Sequence, residues 1–382
     1  MRKVLWSAVV AAAFLASPAP ADATSLKGKL IKVLPEGARA VRGAALGPAA
    51  GGGFLAIWSS NADADIYSDQ LFARVFTAKG KPNGKAVRYD RPLKGKRTRS
   101  ADPGTPILLA DGRQFLPWSA SFDPSTTLPR MAVAQILDGS KLKGKPKTLL
   151  TGDDASSMNA AGLRGGGGVL IWTSFATGSQ YGAAVKPNGG VGRPELEFEP
   201  ASAPIPMKSG FARIHTTVDA SGVDAIGQLF NREGRPATGP FLLFADVSTV
   251  YGSASAIGLT NGQLLAIEQT RNGDGTVNDY AHRFAADGKR IGQVKLLLKN
   301  VPTHDLSVTE TDDGGFLMRI AAVGGTEIRY LSFDDAAKLK GDVVEKRPQI
   351  RRDLDMTRLG DGLVASPFID EPGQLFVQFV VP

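Results

Sequence analysis

GGGFLAIWSSNADADIYSDQLFARVFTAKGKPNGKAVRYD, running from Gly51 to Asp90, decides the fold. It opens with a Gly-led hydrophobic run and passes through a polar acidic loop into a second run that ends at Phe76. A Gly/Pro/Asn turn and a short third run follow. Short apolar runs separated by turn-forming residues read as an antiparallel meander. The pattern recurs down the chain, so the protein is an array of small sheets.

Two markers trace the recurrence. The second run of each unit ends in a hydrophobic anchor followed by a Gly-bearing turn, and the anchors are Phe76, Leu137, Val185, Phe230, Phe284, Phe333 and Phe379. They stand 61, 48, 45, 54, 49 and 46 residues apart, the period range of propeller blades and other arrays. LFARVFTAKGKPNG (Leu71 to Gly84) and DYAHRFAADGKRIG (Asp279 to Gly292) agree best, with aromatic, Ala, Phe, Ala, Gly, Lys and Gly positions coinciding without a gap. The first run recurs as GGGFLAIW ending at Trp58, DGRQFLPW at Trp118 and GGGGVLIW at Trp172, then as SGFARIH, NGQLLAIE, DGGFLMRI and GDGLVASP. In each, Gly opens a tight turn at low steric cost and an apolar strand follows. Short stretches ahead of these runs, such as Leu306 to Thr311 and Leu354 to Leu359, supply an innermost strand and bring each unit to four. The 45 glycines and the 7% aromatic share suit many short strands and turns.

The ends of the chain point to ring closure. After Phe379 the sequence stops at Pro382, where other units make their turn and outer strand, while SLKGKLIKVLP (Ser25 to Pro35) resembles the outer-strand stretches KLKGKPKTLLT (Lys141 to Thr151) and KLKGDVVEKRP (Lys338 to Pro348). Pairing this N-terminal strand into the last unit would leave no open sheet edge. The expectation is an all-β, seven-bladed β-propeller of four-stranded antiparallel blades, closed by the N-terminal strand and spanning residues 24–382 as a single domain. A six-bladed ring is the alternative, because only 24 residues separate Glu199 from Asp224 in the fourth unit. Two stacked sandwiches fit the even repeat less well.

The pattern GGFxxxW, an Asp-rich loop, xAxRxF, xxxG and a short strand resembles the repeats of bacterial exported or surface β-propellers. The resemblance implies a fold and a location. It is carried by structural Gly, Trp and Phe, so it says little about activity. The sialidase Asp-box, S/T-x-D-x-G-x-T-W, is absent.

Residues 1–23 read as an export signal of the Sec type: Arg2 and Lys3, an apolar core from Val4 to Ala16, and a small-x-small site at Ala21-Asp22-Ala23. Thirteen apolar residues fall short of the roughly 20 needed to span a bilayer, so no transmembrane segment is expected after cleavage. A periplasmic or secreted location follows. The sequence has no Cys, which excludes a lipoprotein, disulfides and thiolate metal sites. The net charge is +8, or +7 without the signal, which carries Arg2, Lys3 and Asp22. A basic balance favours acidic partners such as anionic polysaccharide, and solubility alone also accounts for it.

The sharpest chemical motif is NADADIYSD, in which Asn61, Asp63, Asp65 and Asp69 stand at positions 1, 3, 5 and 9 and the Tyr67 carbonyl at 7. Alternate oxygens in a tight loop can converge on Ca²⁺, and the spacing is similar to calcium loops of integrin-type propellers. It departs from them in Ile66 and in lacking a Glu at position 12. A solvated acidic hairpin is the plainer reading. RNGDGTVND (Arg271 to Asp279), the equivalent loop of the fifth unit, reads as a turn.

A second constellation lies ahead of the innermost strands, where propellers present residues to the channel mouth. THDLSVTE (Thr303 to Glu310) and RRDLDMTR (Arg351 to Arg358) align, which places Asp305 and Asp353 at equivalent positions beside His304 and Arg352; Arg99 and Asp102 precede the second unit's inner strand. Such a set could bind a polar ligand, or supply an acid and a base. Equally, Asp at a loop end caps local N–H groups.

The three histidines form no metal site visible in sequence, and there is no nucleophile elbow, P-loop or nucleic-acid platform. Two classes stay open. One is a monomeric exported binding or scaffold propeller engaging a protein or acidic polysaccharide, with any calcium structural. The other is a propeller hydrolase or lyase acting on a carbohydrate or small polar substrate, with Asp305, Asp353 and His304 in acid or base roles. The lack of a recognisable catalytic motif favours the first.

Overall fold

The structure is a computed structural model that describes residues 24–35, 41–61, 69–90, 100–121, 131–150, 158–174, 179–192, 196–198, 202–219, 222–245, 255–322, 326–347, 350–370 and 373–382. Seven antiparallel sheets form a ring, and the protein is a seven-bladed β-propeller. Blade 1 contains Val41–Pro48, Phe54–Asn61, Asp69–Phe76 and Val87–Arg88, from the inner strand outwards. Blade 3 comprises Met158–Gly162, Gly168–Thr173, Gln180–Val185 and Leu196–Phe198. Blade 4, the shortest in sequence, is complete, with Ile205–Met207, Gly210–Asp219, Gly222–Asn231 and Phe241–Phe244, so the six-bladed alternative falls. Blade 5 comprises Ser255–Gly258, Leu264–Arg271, Thr276–Phe284 and Lys295–Pro302, and blade 6 His304–Glu310, Phe316–Ala322, Glu327–Phe333 and Leu339–Lys346. The inner strands of blades 2 and 7 are split, into Ser100–Pro103 with Ile107–Leu108 and Ile350–Asp353 with Thr357–Arg358. The N-terminal strand Ser25–Lys32 pairs antiparallel with Leu375–Val381 and is the outer strand of blade 7. Residues 1–23, read as the export signal, lie outside the described residues.

The repeat signature has a steric cause. In blades 1, 3, 4 and 6 a glycine just before or at the start of the second strand lies against the carbonyl oxygen of the anchor. A Cβ at Gly53, Gly167, Gly210 or Gly315 would come within 2.0, 2.4, 2.0 and 2.1 Å of the oxygens of Phe76, Val185, Phe230 and Phe333. No side chain fits at such distances, so the Gly-led run and the anchor are two halves of one contact. Gly315→Ala should therefore cost about 1–3 kcal/mol, the usual range for overpacking, measured as a lowered denaturation midpoint.

Each second strand is buried on both faces, which explains why FLAIW shows no polar alternation. Phe54, Ala56 and Trp58 pack towards blade 7 with Leu363 and Phe379, whereas Leu55 and Ile57 pack towards blade 2 with Leu116 and Trp118. The same arrangement repeats round the ring, and the seven hydrophobic clusters each lie between two neighbouring blades. The anchors supply cross-strand stacks: the rings of Phe54 and Phe76 lie 4.6 Å apart, those of Phe211 and Phe230 5.0 Å, and those of Phe316 and Phe333 4.8 Å. Phe54 also meets Phe379 edge-on at 5.8 Å, which ties the first blade to the last. Each such aromatic pair adds about 0.5–1.5 kcal/mol beyond burial.

Candidate functional site

The channel has two mouths, one at the start of the inner strands and one at the hairpin turns where those strands end. The first holds the sequence-predicted ligand set. His304–Glu310 is already strand, so His304 and Asp305 belong to the inner strand of blade 6 and not to a loop ahead of it. Asp102 likewise lies within Ser100–Pro103, and Arg352 and Asp353 within Ile350–Asp353. Arg99 lies outside the described residues.

Register revises the expected equivalence of Asp305 and Asp353. Asp305 pairs with Ala321, the sixth residue of its neighbouring strand; Arg352 pairs with Ile369 and Asp102 with Ser119, each also the sixth. Asp353 pairs with Phe368, the fifth. The break between the two halves of blade 7's inner strand inserts one residue, and a shift of one along a strand changes faces. One layer of the mouth therefore contains Asp102, Asp305 and Arg352, on blades 2, 6 and 7, while Asp353 falls in the next.

His304 is committed elsewhere. Its ring is buried between blades 5 and 6, with Nδ1 2.8 Å from the Pro302 carbonyl and Nε2 3.0 Å from Asp279 Oδ2. Both of these partners are acceptors, which favours a proton on each ring nitrogen and so the charged ring; Gln269 Nε2, 3.2 Å from the same Nε2, donates to Asp279 Oδ1. Burial works against that charge, but the hydrogen bond and attraction of Asp279, with Pro302 and Asp305 adding to it, leave the His304 pKa raised above its ordinary value. Asp279 is fully buried and also accepts from Gln269 Nε2 at 3.1 Å. Asp305, by contrast, is exposed. His304 and Asp305, adjacent in sequence, thus face different surroundings, as neighbours on a strand must.

The opposite mouth carries a group that sequence reading passed over. Arg164, in the inner hairpin turn of blade 3, pairs with Glu310 at the end of blade 6's inner strand. Blades 3 and 6 are as far apart as a ring of seven allows, so this ion pair crosses the axis. Arg358 of blade 7 donates to the other oxygen of Glu310 at 2.8 Å and through Nε to Asp312 at 2.5 Å. Asp312 in turn accepts from the Gly362 N–H at 2.6 Å. Arg232 of blade 4 braces the strap by donating to the Arg164 and Gly166 carbonyls, at 2.5 and 2.6 Å. Burial opposes the charge of Arg358, but Glu310 and Asp312 leave its pKa raised. The sequence held one signal of this: THDLSVTE and RRDLDMTR end in Glu310 and Arg358, opposite charges at matching ends of neighbouring inner strands.

Of the NADADIYSD motif, residues 62–68, with Asp63, Asp65 and Tyr67, lie outside the described residues. Asn61 and Asp69 close the flanking hairpin as a register pair. In the equivalent loop of blade 5 the polar groups bond one another: Asp274 Oδ1 accepts from the Thr276 amide at 2.9 Å, and Asn278 Oδ1 from the Asn300 amide at 2.8 Å. Among the described residues no group of three or more His, Asp or Glu side chains is placed to hold a metal ion.

No protein-family model matches the chain, and no curated protein matches it in sequence. Solved structures do match in shape. The acylaminoacyl peptidase of Pyrococcus horikoshii superposes with a TM-score of 0.50 at 11% identity, over 90% of this chain and 51% of that one. A puromycin hydrolase gives 0.49 at 13%, over 87% and 51%, and an ulvan lyase 0.49 at 11%, over 94% of both chains. The chain spans about half the length of the peptidase and of the puromycin hydrolase. The likeness is one of fold.

Proposed function

We propose that this protein is an exported binding or scaffold propeller that engages a protein or polysaccharide partner without transforming it. The observation that carries the reading is the fate of His304. The imidazole expected to serve as acid or base at the mouth is spent on an ion pair that joins blades 5 and 6, with both nitrogens occupied. A general acid or base must reach the proton it moves, and a buried ring with two fixed partners does not. Asp305, by contrast, is exposed and free to meet a ligand rather than to relay a proton with His304. The basic start, apolar core and small-x-small site of residues 1–23 support export.

The test is a paired assay of the chain from Thr24 onward. Acidic and neutral polysaccharides are screened for retardation of the protein in affinity gels, and the same incubations are assayed for new reducing ends, new unsaturated ends and ester cleavage. The expected outcome is retardation by at least one polymer with no product. Product formation that Asp305→Asn or Asp353→Asn abolishes would replace this reading with the hydrolase or lyase one.

A further inference from the structure

Exposed lysines stand on several blades. Among the described residues, those of three consecutive blades gather with almost no carboxylate beside them, whereas Lys289, Lys295 and Lys299 of blade 5 share their blade with exposed Asp274 and Asp287. The outer strand of blade 7 exposes Lys27, Lys29 and Lys32. The turn after Phe76 and the residues before blade 1's outer strand expose Lys79, Lys81 and Lys85. The outer strand of blade 2, Lys141–Leu150, exposes Lys141, Lys143, Lys145 and Lys147, every second residue. These surfaces are contiguous. A Cβ on Gly80 would meet Ile31 of blade 7's outer strand at 2.3 Å, and one on Gly84 would meet Ser140, beside Lys141, at 2.8 Å. Against these ten ammonium groups the same described segments expose one carboxylate, Asp138, which pairs with Lys143 at 3.2 Å; Asp90 is buried and paired with Arg88.

We infer that the rim of blades 7, 1 and 2 is a docking surface for a linear acidic polysaccharide. The inference rests on the binding reading above and names its partner and place. Like charges gathered on one arc repel one another and raise the local potential, which an anionic partner relieves. The pairing of the blade 2 outer strand breaks between Lys143 and Lys147, with Gly144 at φ 68°, so its four lysines form a dense cluster of charge that the carboxylates or sulfates of an acidic polymer can meet. A single-stranded nucleic acid would want aromatic faces to stack on, and among the described residues the exposed large hydrophobic side chains include no aromatic ring. A membrane would want apolar side chains beside the lysines, yet Leu242, Val294, Leu296, Leu339 and Val344 all lie on blades 4 to 6.

The probe is polygalacturonate, with dextran as the neutral control. Binding of the chain from Thr24 onward is measured by calorimetry at 50 mM and 500 mM salt, and the polymer's length is followed by size exclusion. Two variants carry the same charge change: Lys141→Gln, Lys143→Gln, Lys145→Gln and Lys147→Gln on the arc, and Lys186→Gln, Lys208→Gln, Lys295→Gln and Lys299→Gln on blades 3 to 5, all exposed positions. The expected result is a loss of at least tenfold for the arc variant and less than twofold for the control, with unchanged melting temperatures and binding that disappears at 500 mM salt. Equal losses in the two variants would reduce the effect to net charge and overturn the docking surface. So would an arc variant that binds like the parent, although the binding reading would then stand. Anionic phosphatidylglycerol vesicles or single-stranded DNA bound in place of polygalacturonate would overturn the choice of partner. Shortening of the polymer would instead overturn the binding reading itself.

Discussion

A chain trimmed to begin at Val33, compared with one that begins at Thr24, should melt about 4–8 °C lower and self-associate at micromolar concentration. The eight residues Ser25–Lys32 pair with Leu375–Val381 from Ser25↔Val381 to Lys32↔Phe376. Their removal uncovers Leu26 and Ile31, which pack against the cores on either side of blade 7, and burial of such side chains is worth roughly 1.5–3 kcal/mol each when complete. It also frees the row of backbone donors and acceptors on Leu375–Val381, and deprives Gln378 of the Lys27 carbonyl it reaches at 3.2 Å. An unpaired apolar edge is a template for a second chain. Circular dichroism melts and sedimentation of the two chains measure both effects; a trimmed chain that stays monomeric with an unchanged melt would show that the strand does not close the ring.

Asp279→Ala should destabilise the protein by about 3–5 kcal/mol, the usual cost of removing one partner from a buried ion pair. The buried His304 ring loses its counter-ion, and with burial no longer offset it should lose its proton. The effect depends on pH. The His304 pKa is raised in the folded protein, above about 6.5 in the unfolded chain, so its contribution is fully present below that unfolded value and is lost as pH climbs through the folded one. Denaturation midpoints of the parent should therefore decline between pH 6 and the raised folded value, while those of Asp279→Ala stay flatter across that range. Parallel pH profiles in the two proteins would remove His304 from the account.

The ring was legible because its markers are enforced by sterics. A glycine pressed to 2.0 Å from where a Cβ would stand cannot vary, and an anchor packed between blades must stay apolar. Blade count and closure therefore followed from Gly53, Gly210, Gly315 and their anchors, together with the likeness of Ser25–Lys32 to other outer strands. The mouth was less legible. Asp305 and Asp353 align without a gap in sequence, yet the break after Asp353 shifts the register by one, and a split strand leaves no mark in residue spacing. Asp279 was read as the end of a turn, because nothing in RNGDGTVND tells that the next blade's first residue will reach it. The strap from Arg164 to Glu310 joins residues 146 apart in sequence across the axis, a contact set by the diameter of the closed ring and not by any local pattern.

Nitrogen NMR of the His304 ring, in protein labelled at histidine and assigned with a His304→Gln variant, is the most direct measurement of the central claim that this side chain holds blades together and performs no proton transfer. The account predicts protons on both Nδ1 and Nε2 that persist above the pH at which an ordinary histidine titrates, and the loss of that persistence in Asp279→Ala. A ring that loses its proton at or below the pH of an ordinary histidine, with one nitrogen open to solvent, would contradict it and return His304 to the candidates for catalysis.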